Sequence, residues 1–390
     1  MAVALPPDAA TQADYATAAA PCLSPDSATT DKQARALQRL YRRANVRKRH
    51  SVLLADGPMS AYYPPPGSKP TVCNRGPTTA DRMATFARLA PPLAERAARD
   101  ALTRAHLPPD AITQLVLVTC TGYHSPGTDL HLIHALNLPP TTGRTQLGFM
   151  GCHGALSGLR VAHALTQAGH TTLLVCVELC TLHFQYGSKP DHLTANALFA
   201  DAAAATILTP HPPPHASPSD LPPTNYNLPP LSYTAATSHI LPDSTGAMAW
   251  TITDHGFSMS LSPRVPDLIA KHLRPALIPF LAQHDLTLND IATFAIHPGG
   301  PRVLDAVEHA IDPHHKRPGL ADPSRHILHN FGNCSSPTVL MILDHLQHTH
   351  PPPSPYLKPG GGTPGLASPL TPCLALAFGP GLTLEAALLT

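Results

Sequence analysis

Between Arg144 and Gly169 the chain changes period in a way that few folds accommodate. A strand-like run opens at Arg144 and closes at Phe149, a turn of mostly small residues follows, and Leu156, Leu159 and Leu165 then return on one helical face until Gly169 stops the helix. Cys152 stands at the first turn of that helix, where unpaired N–H groups and the positive end of the helix dipole favour a thiolate. Gly151 and Gly154 keep Cβ atoms away from the sulfur, so a substrate carbonyl can approach it and its oxyanion can meet backbone donors. The same joint also suits a buried structural cysteine, and these residues alone leave both readings open.

The rest of the chain repeats the alternation. Leu115–Thr119, Thr171–Val177 and Ala204–Leu208 are short apolar runs of the kind found in strands buried on both faces. Asp81–Ala105 reads as a helix broken near Pro91 and Pro92. From Asp31, as N-cap, a further helix carries Arg35, Arg39, Arg43 and Arg47 on one stripe. Mutual repulsion along that stripe points either to a small phosphate-bearing ligand or to a solvated face. Residues 1–30 are Ala-, Pro- and Thr-rich without periodicity and are expected to form a flexible amino-terminal arm. Proline clusters between His211 and Pro230 mark a junction, giving an amino-terminal half over 31–222 and a carboxy-terminal half over 223–390. The second half shows a strand-like segment from Ser232, a helix over Pro266–Gln283 and a strand over Ala292–Ile296. Helices over Pro301–Ile311 and Pro337–Leu346 and a strand over Leu374–Phe378 complete it. Two halves of similar layout imply an internal duplication within an α/β architecture.

Composition removes several classes of function. Lys plus Arg (26) nearly balances Asp plus Glu (25), so no global field draws the protein to nucleic acid or an anionic membrane. The eight cysteines have no paired CxxC spacing for zinc, and the scattered histidines suggest no metal centre. Reduced thiols and the lack of a signal-like start or a membrane-length apolar run lead to the expectation of a cytoplasmic protein.

Two further polar positions sit at strand-to-helix turns. His297 leaves an apolar strand in IHPGG, and NFGNCSSP at 330–337 leads into an apolar helix that Ser336 is placed to cap, with Pro337 in its first turn. Each fits an ordinary turn. Together with Cys152, one His and one Asn form a coherent nucleophile set, the His supporting the thiolate and both hydrogen-bonding an oxyanion.

GCHGA around Cys152, HPGGP at 297–301, FGNCSSP at 331–337 and FGPG at 378–381 stand in the order of the type III polyketide synthases, and the chain resembles that chalcone synthase-like family from about Arg35 to Leu388. The resemblance implies a duplicated α-β-α-β-α thiolase fold, a homodimer, and a reaction without metal or redox cofactor. By resemblance Cys152 is acylated by a CoA thioester, and His297 with Asn333, rather than Asn330, forms the oxyanion hole. The same pair stabilises the enolate left when malonyl-CoA loses CO2. Phe199 matches one aromatic gate, and Met259 stands where the family has a second phenylalanine. Cys120, Cys180, His183, Trp250 and Ser335 fall on positions lining the elongation cavity. Arg39 and Arg43 match residues holding CoA phosphates, with Arg35 substituting for a third that falls on Ala36. Ser125 replaces a methionine that plant members extend into the partner's cavity. LCTLHFQ at 179–185 and WTITDHGF at 250–257 are similar to microbial enzymes that make alkylpyrones or alkylresorcinols from fatty acyl starters. Within the same fold, an initiating 3-oxoacyl-[acyl carrier protein] synthase shares the trio but takes malonyl from carrier protein. A papain-like hydrolase would want its cysteine near the amino terminus, and a non-catalytic CoA binder would not need the trio intact.

Overall fold

The computed structural model describes residues 1–23, 30–54, 62–63, 75–210, 231–349 and 370–390. The expected junction at 222/223 and the Pro/Gly-rich stretch from Pro351 lie outside them.

In the amino-terminal half the elements run β1 (Ala2–Ala4), β2 (Ala9–Thr11), α1 (Gln12–Ala19), α2 (Asp31–Arg43), β3 (Lys48–His50), α3 (Thr79–Ala105), β4 (Gln114–Thr119) and α4 (Thr128–Ala135). They continue with β5 (Gly143–Gly148), α5 (Gly154–Gln167), β6 (Thr172–Leu179), α6 (Pro190–Leu198) and β7 (Asp201–Leu208). One sheet has the order β1-β7-β6-β4-β5. The second half runs β8 (Tyr233–Ile240), β9 (Met248–Thr253), β10 (Gly256–Leu261), α7 (Val265–Ala282), β11 (Thr293–Ile296) and α8 (Pro301–Ile311). It closes with α9 (Asp322–Phe331), α10 (Pro337–His348), β12 (Cys373–Gly379) and β13 (Thr383–Leu389). Its main sheet has the order β11-β12-β13-β8.

The two sheets share one pattern. β4 lies parallel to β6, which is antiparallel to β7, which is antiparallel to β1. In the second sheet β11 is parallel to β12, which is antiparallel to β13, which is antiparallel to β8. This is the expected duplication.

Strand periodicity divides the core into layers. From β4 and β6, Leu115, Leu117, Leu173 and Val175 join the α3 side, whereas Val116, Val118, Leu174 and Cys176 face α5 and α10. From β12, Leu374, Leu376 and Phe378 face α7 and α8, while Ala375 and Ala377 turn to the same central helices. Helix α5 from one half and α10 from the other thus form a middle layer between the sheets, giving α-β-α-β-α. Alanines serve both faces of β7, Ala202 and Ala204 turning to the middle helices and Ala203 and Ala205 to the α3 side, all fully buried, and small side chains let the layers sit close.

Several local expectations change. The first 23 residues are built into the fold: β1 completes the sheet with Ala2 opposite Ala205, and α1 carries a Thr11–Asp14 capping box and buries Tyr15, Ala16 and Ala19. Alanine-rich sequence shows no periodicity because its small side chains serve both faces. Helix α3 runs unbroken through Pro91 and Pro92, since its stripe from Phe86 to Leu102 is buried and packing outweighs the lost backbone bonds. Thr30, not Asp31, caps α2, through a box with Gln33, and the helix ends at Arg43, so Arg47 leaves the arginine stripe. The polar segment Asp322–Phe331 forms α9, which the sequence reading passed over because it buries only Ser324, Ile327 and Leu328. No helix among the described residues is long and apolar enough to cross a membrane.

Gly122, just after β4, marks the closest approach of α3 to the sheet, since a Cβ there would lie 2.0 Å from the Phe86 ring. Gly122→Ala is expected to destabilise the fold by about 1–3 kcal/mol through overpacking, read as a lowered Tm. An unchanged Tm would contradict the packing described.

Candidate active site

Cys152 is presented by a compressed joint. β5 ends at Gly148, Phe149 and Gly151 take positive φ (57° and 70°), a 3-10 turn spans Gly151–His153, and α5 begins at Gly154. The turn is locked against the other half: a Cβ on Gly151 would lie 2.3 Å from Pro380 Cδ, and one on Gly379 would lie 2.1 Å from His153 Cδ2. That interlock accounts for glycines in both GCHGA and FGPG. Beneath it, Gly151 N–H donates to Cys120 Sγ (3.0 Å).

His297 leaves the end of β11 with its N–H bonded to Leu376 O (2.7 Å) and its side chain buried, and both ring nitrogens are buried without a hydrogen-bond partner. Its pKa is pushed down to about 3, first by burial and then by neighbouring His153. Asn333 lies between α9 and α10, where Gly332 at φ +77° turns the chain. Its Oδ1 accepts Ser335 N–H (2.8 Å), which leaves the amide's donor end for other partners. Burial pushes the Cys152 thiol up to about 11, opposed by hydrogen bonding from the Ser335 and Asn333 side chains. Loss of water thus opposes the thiolate that the helix terminus and the donors around the sulfur favour. The site thus gathers Cys152, Asn333 and Ser335, and His297 lies near His153, the residue after the nucleophile. Asn330 lies elsewhere on α9, accepting from Arg47 Nη2 (3.0 Å).

Cys180, His183, Phe199, Trp250 and Met259 line one pocket. Phe199 closes its end nearest the trio through a β-bridge to Asn333. Met259 pairs with Trp250 across the β9–β10 hairpin. His183 presents only a ring face: Nε2–H donates to Thr121 O (2.7 Å), Nδ1 accepts Phe257 N–H (2.9 Å), and the ring stacks on Phe257 at 4.1 Å. Cys120 and Ser335 lie outside that lining. Cys120 braces the nucleophile turn, its carbonyl accepting Trp250 Nε1–H (3.0 Å), and Ser335 faces Cys152. Arg35, Arg39 and Arg43 point to solvent from α2, opposite buried Leu37 and Tyr41. Among the described residues no group of three or more His, Cys, Asp or Glu side chains is arranged to hold a metal ion.

Residues 1–212 match the family model for the chalcone and stilbene synthases, N-terminal domain, and residues 232–390 match that for the C-terminal domain. This chain belongs to the chalcone and stilbene synthase family. Among solved structures it is similar to the carboxy-terminal type III polyketide synthase domain of Steely1, a type I/III hybrid from Dictyostelium. That match has a TM-score of 0.80 and 24% identity, over 100% of this chain and 97% of that one. It is also similar to PKS-I of the brown alga Ectocarpus siliculosus, with a TM-score of 0.80 and 26% identity over 100% and 96%. The protein is a type III polyketide synthase, an acyltransferase on the thiolase fold.

One residue of this synthase's site escaped the sequence reading. Glu178 is fully buried at the end of β6 and accepts from Cys120 N–H (2.9 Å), Thr121 Oγ1 (2.7 Å) and Thr119 Oγ1 (3.3 Å) on Oε2, and from Ser336 Oγ (2.6 Å) on Oε1. Ser336 therefore serves Glu178 and not the α10 backbone, where it makes no side-chain cap. The signal was present: a carboxylate inside TLLVCVEL, a strand buried along its whole length, has to be satisfied by specific donors. Burial pushes Glu178 up to about 7 against those donors, and its charge in turn disfavours the Cys152 thiolate.

Because the folded pKa lies above the ordinary 4.5, protonated Glu178 stabilises the fold, a contribution complete below about 4.5 and lost as pH rises through about 7. Glu178→Gln is expected to flatten the fall in stability between about pH 4.5 and 7 and to raise the iodoacetamide alkylation rate of Cys152 at pH 8 by roughly 3-fold or more. Denaturation and alkylation series across pH test this. A variant with the wild-type pH slope and alkylation rate would contradict it.

Proposed function

We propose that this synthase loads an acyl group from an acyl-CoA onto Cys152 and extends it with malonyl-CoA by decarboxylative Claisen steps. The observation that carries the reading is His297: a buried imidazole whose two nitrogens use no protein partner has hydrogen-bonding capacity reserved for a ligand. As the thioester bond forms, the Cys152 S–H proton has to leave, and neutral His297 is the unsatisfied base in the cluster. The departing CoA sulfur takes a proton in return. His297 and the Asn333 amide are then donors for the oxyanion of each tetrahedral intermediate and for the enolate left when malonyl-CoA loses CO2. The enolate carbon attacks the acyl thioester and releases Cys152.

The starter is aliphatic and the product a cyclised pyrone or resorcinol, as in microbial members of the family. Support comes from a cavity walled by the faces of His183, Trp250 and Phe257, with the flexible thioether of Met259 on its lining. Exposed Arg35, Arg39 and Arg43 form a cationic stripe suited to CoA phosphates, and the chain acts as a homodimer.

Cys152→Ala is expected to abolish the acyl mass shift seen after incubation with an acyl-CoA while circular dichroism stays unchanged. His297→Gln is expected to lower malonyl-CoA decarboxylation roughly 100-fold, the effect of losing an oxyanion donor. Full product formation by either variant, read by mass spectrometry with a panel of acyl-CoAs, would overturn the assignment. Wild-type turnover of malonyl-carrier protein in preference to malonyl-CoA would instead favour an initiating 3-oxoacyl synthase.

Arg39→Ala and Arg43→Ala are expected to raise KM for CoA substrates with little change in kcat, and the gap from wild type is expected to narrow as salt screens the charges. Unchanged KM in both would make the stripe a solvated helix face.

A further inference from the structure

We infer that Arg49 is a positioning residue of this site, holding the backbone that joins Phe199 to Asn333; the inference rests on the roles proposed above for those two residues. Arg49 follows α2 on β3 and is 2% exposed. Its guanidinium meets carbonyl oxygens, Nη1 donating to Asn196 O (2.8 Å) and Phe199 O (2.7 Å). The Tyr15 ring covers one face with its centroid 3.9 Å from the guanidinium carbon, and Tyr41 stands at 5.7 Å.

Both carbonyls belong to the carboxyl end of α6, whose last oxygens lack intrahelical donors and lie at the negative pole of the helix. A cation there supplies what a neutral side chain cannot, which offsets the cost of keeping it from water. The same segment is gripped from the opposite side by Asn333: Ala200 N–H donates to Asn333 O (2.9 Å) and Asn333 N–H to Leu198 O (2.9 Å). Gly332 closes the junction, since a Cβ there would lie 2.9 Å from Leu198 O and 3.1 Å from Arg49 Cγ. Shifting the guanidinium therefore shifts Phe199, on the cavity wall, and Asn333, beside the Cys152 sulfur, together. Only Nη1 reaches this segment, so the grip on it depends on Nη1. A lysine ammonium can replace it in part, whereas methionine keeps the stem and loses the charge.

The test uses the full chain carrying Arg49→Lys or Arg49→Met. It measures malonyl-CoA decarboxylation, Cys152 alkylation by iodoacetamide, Tm, and hydrogen exchange at the Ala200 and Asn333 amides. For Arg49→Met, kcat is expected to fall at least 10-fold with alkylation near the wild-type rate. The two amides are expected to exchange at least 10-fold faster than in wild type, and Arg49→Lys is expected to recover most of both losses. If Arg49→Met does not fold, Arg49→Lys carries the same test with smaller changes at the same two amides. Unchanged exchange there, or loosening spread evenly along the chain with activity lost in proportion to unfolded protein, would overturn the inference. A wild-type protein that fails to decarboxylate malonyl-CoA would sink the functional reading instead, and amide exchange would still decide whether Arg49 holds the junction.

Discussion

Two tight turns, one from each half of the molecule, are pressed together so closely that neither can carry a Cβ at the contact. Gly151 meets Pro380, and Gly379 meets the ring of His153. The nucleophile, the two sheets and the middle helical layer all depend on this seam. If the turns separated, Cys152 would lose its fixed direction and α5 would no longer abut α10. Duplication explains how such a seam arises. Each half brings a turn to the start of a middle-layer helix, a strand-to-helix joint carrying Cys152 ahead of α5 and, in place of the expected strand-to-helix joint, a helix-to-helix turn carrying Asn333 ahead of α10. His297 arrives from the end of β11, the counterpart of β4, whose own end supplies Cys120.

Burial at the seam decides where the protons rest. Burial pushes the Cys152 thiol up to about 11 and the His297 imidazole down to about 3, so it favours the neutral form of each. A site of this kind keeps no standing ion pair to solvate and leaves its donors free for charge that appears only during reaction, which is where fixed dipoles contribute most. Glu178 works against the thiolate from below, and the same carboxylate collects Cys120, Thr119, Thr121 and Ser336 into one buried network. It holds the floor of the site rigid and makes the sulfur harder to ionise. Rigid placement and a quiescent nucleophile thus follow from one residue.

The strands at 115–119 and 172–179 and helices such as α8 were legible because continuous apolar runs and turn residues mark them independently of context. The joint around Cys152 was legible for the same reason: its glycines answer to local geometry. What could not be read depends on partners far along the chain. β1 has no pattern of its own and exists because Ala203–Ala205 offer it an edge. Pro91 and Pro92 carry a local instruction to break the helix that the packing of α3 overrides. The Cys152 environment looked favourable to a thiolate when only the helix terminus was in view, and desolvation by the opposite half reversed that.

Three alanines, Ala200, Ala202 and Ala377, lie close to the turns that carry the site. All three are fully buried and belong to the face that the sheets turn toward the middle helices. Their methyls therefore fill the space between layers. Ala200 also bears on the site directly, since a Cβ on Gly332 would lie 3.1 Å from its own Cβ and leave no room for any larger residue at 332. The alanine and the retained glycine are consequently one solution to one packing constraint. Volume occupied by Ala200, just ahead of β7, has to be absent from the turn before Asn333, and that keeps the Asn333 peptide in register with Leu198 and Ala200.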